Sequence, residues 1–385
     1  MARAEPRHDV LILLVALTLV LLLGGLTLPR LWVAPPAFWA HLVLAVGVMS
    51  LITAAMQHFV PVLCRGRGAG RGLARLPWLM LAAGALAAAV LTGGLAWGWL
   101  TAAALLALAG ALMMLRWMRA AGRAALGGPH PGLAWYVAAM ACLTAGLAAA
   151  ALIPWLPDWH APLRAFHLHI NLYGFVALTA VGTLQVLMPT VANRPDPGAA
   201  VRLRCDLKWA LAGTFLLATG QAAGWTWPSG LGVVLWLVVL ARLLTAWVRL
   251  YGRRLLTLHG NEPVLAAATL GLAAALISSL GLGVSSGPLG VFLPAFLMPL
   301  VSGAAAQLAP VWLRPGRRDA WHERSLQALA RWGGARALLF VAAAGLPLAG
   351  YRCAGMPALT ALVWFGILFV RWLMWEEPAR TPEKV

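Results

Sequence analysis

Long apolar runs alternate with short polar segments along the whole chain of 385 residues. A helix needs about 20 apolar residues to cross roughly 30 Å of hydrocarbon at 1.5 Å per residue. Twelve runs approach this length, so the pattern predicts about twelve transmembrane helices, numbered here in chain order. The runs lie near residues 10–28, 38–63, 76–97, 99–118, 133–154, 163–190, 207–226, 230–250, 263–283, 288–313, 333–350 and 355–375.

The composition agrees with this pattern. Hydrophobic residues make up 62% of the chain and charged residues 10%, whereas an average soluble domain has about 45–50% and 25%. The sequence therefore predicts an all-α, polytopic membrane protein whose principal partner is the lipid bilayer. We expect residues 1–385 to form a single transmembrane domain.

The net charge of +18 is distributed unevenly over the loops. Basic residues follow the even-numbered helices, while loops 3–4, 7–8 and 9–10 carry no charge. The positive-inside rule then predicts that both termini are cytoplasmic, and it explains the charge without a nucleic-acid partner. Because Ala, Arg and Gly are abundant, we expect a bacterial protein of the inner (plasma) membrane.

A Gln and Pro pair recurs near the end of helices 2, 6 and 10. The glutamines are 128 and 122 residues apart, which corresponds to four helices. This spacing predicts three pseudo-symmetric four-helix repeats, approximately 1–130, 131–258 and 259–385. A histidine precedes the glutamine by 16 residues in the first two repeats, and a valine stands there in the third. The aligned residues are His41, Gln57 and Pro61; His169, Gln185 and Pro189; and Val291, Gln307 and Pro310.

Three of the nine histidines lie just inside the predicted outer interface: His41, His167 and His169. Ionisable groups are rare inside membranes and often mark a functional site, and neutral imidazole can bind a metal or a haem iron. Residues two apart on a helix point about 200° apart, so His167 and His169 should face different neighbours. We expect one of them to complete a bis-histidine site with His41, while the other points to a second site or to a hydrogen-bond partner. Hydrogen bonding at the headgroup boundary is the alternative.

Two further residues are candidates for supporting roles. Tyr173 follows His169 by four residues and shares its helix face, where it either donates a proton or packs. His160 lies in the outer loop beside Asp158 and Trp159. The other histidines are expected to be solvated or interfacial: His8, His58, His130, His259 and His322. The four cysteines form no C-x-x-C-H motif, so a covalent c-type haem is not expected. Among the non-covalent haems, b-type is the one expected.

These features resemble the haem-copper oxidase subunit I superfamily, in which twelve helices form three pseudo-symmetric groups. Helix 2, with His41 near its start and Pro61 near its end, is similar to the family helix that supplies an axial histidine to the low-spin haem. The segment 167–175 resembles the H-x-H-x-x-x-x-G-F pattern of small oxidase-like membrane proteins, a neighbourhood that includes the NnrS-type haem proteins linked to nitric oxide stress. With this resemblance we expect His41 and His169 to be the axial pair and His167 to serve a second site. His169 and Tyr173 are similar to the family's H-x-x-x-Y, whose histidine ligates copper.

The resemblance implies haem as the cofactor, copper as a second metal, and other respiratory subunits or an electron donor as partners. The chain departs from the family because helices 7 and 10 carry no histidine. A complete binuclear, oxygen-reducing centre is therefore not expected. The sequence predicts a haem-binding relative with a redox or nitric-oxide-related role, and whether it is an oxidoreductase stays open.

Two other functions remain open. A transporter or channel usually keeps charged or broken-helix elements at the bilayer midplane. Here the midplane offers only hydroxyls and amides, and Pro294 and Pro299 are the candidates for a break in helix 10. An assembly subunit without cofactors would retain the histidines as relics. The midplane polar residues are Thr179, Thr183, Gln185, Ser278 and Ser279.

Overall fold

The computed structural model describes residues 8–281, 289–351 and 355–375, and within these ranges it is helical with no strand. Twelve main helices occupy the predicted places along the described chain, and one short helix, Ala320–Leu329, precedes the eleventh. They are α1 (His8–Thr27), α2 (Pro36–Cys64), α3 (Leu76–Leu91), α4 (Trp99–Arg123), α5 (Gly132–Leu152), α6 (Pro157–Val191), α7 (Ala199–Ala223), α8 (Thr226–Tyr251), α9 (Glu262–Ser278), α10 (Leu289–Leu313), α11 (Gly333–Leu348) and α12 (Gly355–Leu373).

Ten helices in the described part of the chain are long and apolar enough to cross a membrane, which confirms the multi-pass prediction. The other two differ for visible reasons. Helix α7 carries four charged residues in its first half, and α9 has 17 residues with no adjoining helical turn to lengthen it. Helices α3 and α11 reach the required length together with the short helical segments before them, as Leu73–Leu91 and Ala320–Leu348. Helix α3 ends at Leu91, before the predicted residue 97, because Gly93 adopts a left-handed φ of 82° and turns the chain.

Helices α2, α6 and α10 form the interior of the bundle. The most apolar windows of these three helices are 61%, 72% and 72% buried, against 33% for α1 and α12. Neighbours in sequence pack together along the chain, most extensively α7 with α8 and α4 with α5. Helix α1 packs on α10 and α12, so the first and last parts of the chain meet. The helices with the recurring Gln and Pro residues are therefore central.

Each of these central helices contains a π-helical segment. In a π-helix the N–H group bonds five residues back, which widens the turn, and such segments are rare and frequent at functional sites. Each segment begins at the residue directly after the aligned histidine or valine. The segments are Leu42–Val48 after His41, Ile170–Val176 after His169, and Phe292–Leu297 after Val291.

Helix α10 continues through both prolines that were expected to break it. Pro294 lies inside the π segment, and Pro299 lies in the first turn of the α-helix that follows. Proline has no N–H, so Pro299 leaves the carbonyl of Ala295 without its usual α-helical donor. Gly271 of α9 faces this carbonyl so closely that a Cβ there would lie 1.7 Å from the oxygen. The absence of a side chain thus lets α9 pack on the widened turn.

We predict that Gly271→Ala destabilises the protein by about 1–3 kcal/mol, because the backbone of α10 must move to admit the methyl group. Thermal unfolding in detergent measures this as a lower midpoint. Gly366→Ala in α12 is the matched control, because its new Cβ would meet no atom within 4 Å. That variant should keep or raise the midpoint, since alanine favours helix. Equal midpoints for Gly271→Ala and wild type would contradict the prediction.

Candidate functional site

The structure brings His41 and His167 together near the beginnings of α2 and α6. Their ring centroids are 6.1 Å apart and the ring planes are inclined by only 9°. Both side chains are partly buried. The two residues are far apart in sequence, so the contact depends on how α2 and α6 are placed side by side. The ring in contact with His41 is therefore that of His167, whereas the sequence favoured His169 as its partner.

The hydrogen bonds of all three histidines leave the same nitrogen available. Each Nδ1 donates to a backbone carbonyl: His41 to Ala37 at 2.7 Å, His167 to Gly146 at 2.9 Å, and His169 to Ala165 at 2.8 Å. A carbonyl oxygen only accepts, so these bonds place the proton on Nδ1 and leave the lone pair on Nε2. This is the tautomer that a metal or a haem iron requires, held in place by the Nδ1 bond. His167 Nδ1 also lies 3.2 Å from Asn171 Nδ2, which donates to the His167 carbonyl at the shorter distance of 2.7 Å.

His169 contacts a different set of residues. Its ring lies 6.2 Å from that of Tyr173, which in turn makes an edge contact at 5.8 Å with Phe292 of α10. The residue is 5% exposed, and its Nε2 is buried with no hydrogen-bond partner among the described residues. A buried acceptor without a partner costs free energy, so the atom has an unmet requirement for a donor or a metal.

The Tyr173 hydroxyl is engaged in helix packing. It donates to the carbonyl of Ala275 in α9 at 2.9 Å, and that carbonyl also accepts from the Ser278 hydroxyl at 2.8 Å. The Tyr173 side chain is completely buried. Of its two predicted roles, the observed contacts favour packing.

Two neighbours of His167 were not anticipated from the sequence. Asn171 donates from Nδ2 to the His167 carbonyl at 2.7 Å, and Gly146 supplies the carbonyl that His167 bonds. A Cβ on Gly146 would lie 2.5 Å from the Asn171 amide nitrogen, so the glycine makes room for it. Asn171 follows His167 by four residues and shares its helix face, so the sequence could have indicated this contact. Gly146 lies on another helix, and no sequence signal pointed to it.

Two of the remaining histidines have clear environments. The ring of His160 packs against Trp97 at 6.4 Å, in an interfacial setting. His322 was expected to be solvated or interfacial, and at 4% exposure it is not solvated. Its Nδ1 contacts Asp319 Oδ1 at 2.7 Å and its Nε2 contacts the Arg314 carbonyl at 2.8 Å. The ring is held in this way because His322 forms a capping box with Asp319 at the start of the short helix.

The 6.1 Å between the His41 and His167 ring centroids can be compared with the spacing that a bound metal would set. A metal bound by two opposed imidazoles at about 2 Å would hold their centroids roughly 6 Å apart. No three His, Cys, Asp or Glu side chains of the described residues are grouped to hold a metal ion. Haem requires only one or two axial histidines. Copper ligation by His41, His167 and His169 stays a prediction.

The polar residues on which a transport pathway would depend are mostly satisfied within their own helices. Thr179, Thr183, Ser278 and Ser279 each donate to a carbonyl three or four residues earlier, at 2.6–2.8 Å. Gln185 differs, because its Oε1 is buried without a donor. Hydroxyls bonded in this way present little free polar surface to a passing solute.

Comparison with known proteins found no match to the chain among protein-family models, curated proteins or solved structures. The geometry of the histidines is therefore the basis for a functional proposal.

We predict that Tyr173→Phe lowers stability by about 0.5–1.5 kcal/mol, the net value of one hydrogen bond. The loss should be small because Ser278 still donates to the Ala275 carbonyl. Thermal unfolding of the purified variant measures it. A variant that unfolds at the wild-type midpoint but loses a bound chromophore would show that Tyr173 acts at the site and not in packing.

Proposed function

We propose that this protein is a haem-binding membrane protein in which His41 and His167 are the axial ligands. The observation that carries the proposal is the nearly parallel ring pair, 6.1 Å apart, with each Nδ1 bonded to a carbonyl. This pairing replaces the expected pair of His41 and His169, because the ring contact of His41 is with His167.

The protein's own groups would hold and orient the cofactor. The carbonyls of Ala37 and Gly146 set the ring tautomer and rotation, as groups behind a metal ligand commonly do. Haem held by these residues would supply one-electron redox chemistry. The partnerless Nε2 of His169 supports a second role, as the acceptor of a hydrogen bond or a ligand for copper.

We also propose the three-repeat organisation, with both termini in the cytoplasm of a bacterial cell. A π segment begins one residue after His41, His169 and Val291, which are the positions that the glutamine spacing aligns. The loop charges support the orientation. A membrane-embedded haem protein of this design needs an electron donor, and the resemblance to the haem-copper oxidase superfamily makes redox or nitric-oxide-related chemistry the expected use.

The absorption spectrum of the detergent-purified protein, made with haem available and recorded oxidised and dithionite-reduced, tests the proposal. We expect a Soret band that sharpens on reduction, with iron in the same sample. His41→Ala and His167→Ala should each lose or shift this band, because a bis-histidine iron becomes five-coordinate or is not retained. His160→Ala is the control from the same side of the bundle and should match wild type.

The other outcomes separate the alternatives. Loss of the band in His169→Ala but not in His167→Ala would restore His169 as the partner of His41. A protein that binds no haem and no metal would exclude the haem proposal and leave transport or assembly as the function to test.

A further inference from the structure

A groove between α7 and α8 combines basic and apolar side chains. Its volume is about 460 Å³. Three arginines and one threonine contribute polar groups, and a valine and two alanines complete the lining. The residues are Arg202, Val238, Ala241, Arg242, Thr245, Ala246 and Arg249. The groove is distant in sequence from the three site histidines and does not depend on the proposed function.

The α8 residues of the groove share one helix face. Val238, Arg242, Thr245 and Arg249 are separated by three or four residues, the spacing at which side chains on a helix are neighbours. The same spacing continues toward the start of α8 through Val234 and Leu231, which are exposed. One face of α8 therefore presents an apolar track with arginines at one end.

The charges in and around the groove do not cancel. Arg242 Nε lies 3.0 Å from Asp206 Oδ1, and Arg202 pairs with Asp196. Arg249 is exposed and makes no ion pair within the described residues. The Nε of Arg202 is buried without a hydrogen-bond partner. The three guanidinium groups carry three positive charges and the two carboxylates carry two negative charges. One positive charge is therefore not balanced, and N–H donors such as Arg202 Nε have no acceptor among the described residues.

We infer that this groove binds one anionic phospholipid of the surrounding membrane. Guanidinium groups and a hydroxyl match the oxygen atoms of a phosphate, and basic pockets between transmembrane helices are suited to lipid headgroups. The acyl chains lie along Val238, Val234 and Leu231. A free phosphate would use the arginines but not this apolar track. A zwitterionic lipid is disfavoured, because its cationic headgroup would lie among the arginines.

The test is a titration of the detergent-solubilised full chain with phosphatidylglycerol or phosphatidylcholine of equal chain length, followed by native mass spectrometry. We expect wild type to prefer phosphatidylglycerol. Arg249→Gln should weaken phosphatidylglycerol binding about tenfold, the effect of one charge-assisted hydrogen bond, and should reduce the preference for phosphatidylglycerol, because it also removes a charge that repels the choline group. Thr245→Trp, which fills an exposed part of the groove, should weaken phosphatidylglycerol binding by at least as much.

Arg119→Gln at the end of α4 is the matched control, because it removes an equal charge from an exposed helix end. It should bind phosphatidylglycerol like wild type. Wild-type affinity in both Arg249→Gln and Thr245→Trp would overturn the inference, as would equal binding of the two lipids by wild type. Displacement of phosphatidylglycerol by an equal concentration of inorganic phosphate would overturn it in favour of a free-anion site.

Discussion

Hydrocarbon offers no hydrogen-bond partner, so polar groups inside a membrane protein must be satisfied by the protein itself. Buried hydroxyls follow this constraint by donating one turn back, as Thr18 does to Leu14 at 2.7 Å and Thr53 to Met49 at 2.8 Å. The site histidines follow it with Nδ1. The Nε2 of His169 is an exception, because it is buried without a partner among the described residues. Nε2 is also the nitrogen that a ligand would use, since Nδ1 is already hydrogen-bonded.

The same constraint explains the form of the central helices. A π segment keeps its hydrogen bonds within the helix while widening the backbone, so α2, α6 and α10 can change geometry without exposing polar groups. The wider turn needs a small neighbour. Gly84 of α3 faces the Ala45 carbonyl and Gly271 of α9 faces the Ala295 carbonyl, where a Cβ would lie 2.6 Å and 1.7 Å from the oxygen. The histidines lie at the beginnings of these segments, where the helix is tightly packed.

Two charged groups lie inside the bundle and are stabilised differently. Asp206 of α7 is 1% exposed, and its partner Arg242 comes from α8. Arg336 of α11 is completely buried, with its guanidinium 5.0 Å from the Phe365 ring centre and Nη2 donating to the Leu329 carbonyl at 3.0 Å. A cation over an aromatic ring gains electrostatic attraction that strengthens when water is excluded. Neither group was singled out from the sequence.

The sequence alone determined the class of this protein and the approximate position of its helices, because the apolar runs needed to cross a bilayer are local features of the chain. It also identified His41, His167 and His169, since ionisable residues in apolar runs are conspicuous. Tertiary structure decided that His41 meets His167, that Gly146 bonds His167, and that Arg242 pairs with Asp206. These contacts join different helices, and hydrophobic periodicity does not specify which helices become neighbours. The π segments were also not visible in the sequence. Bonding each N–H five residues back instead of four changes the apolar pattern too little to be recognised.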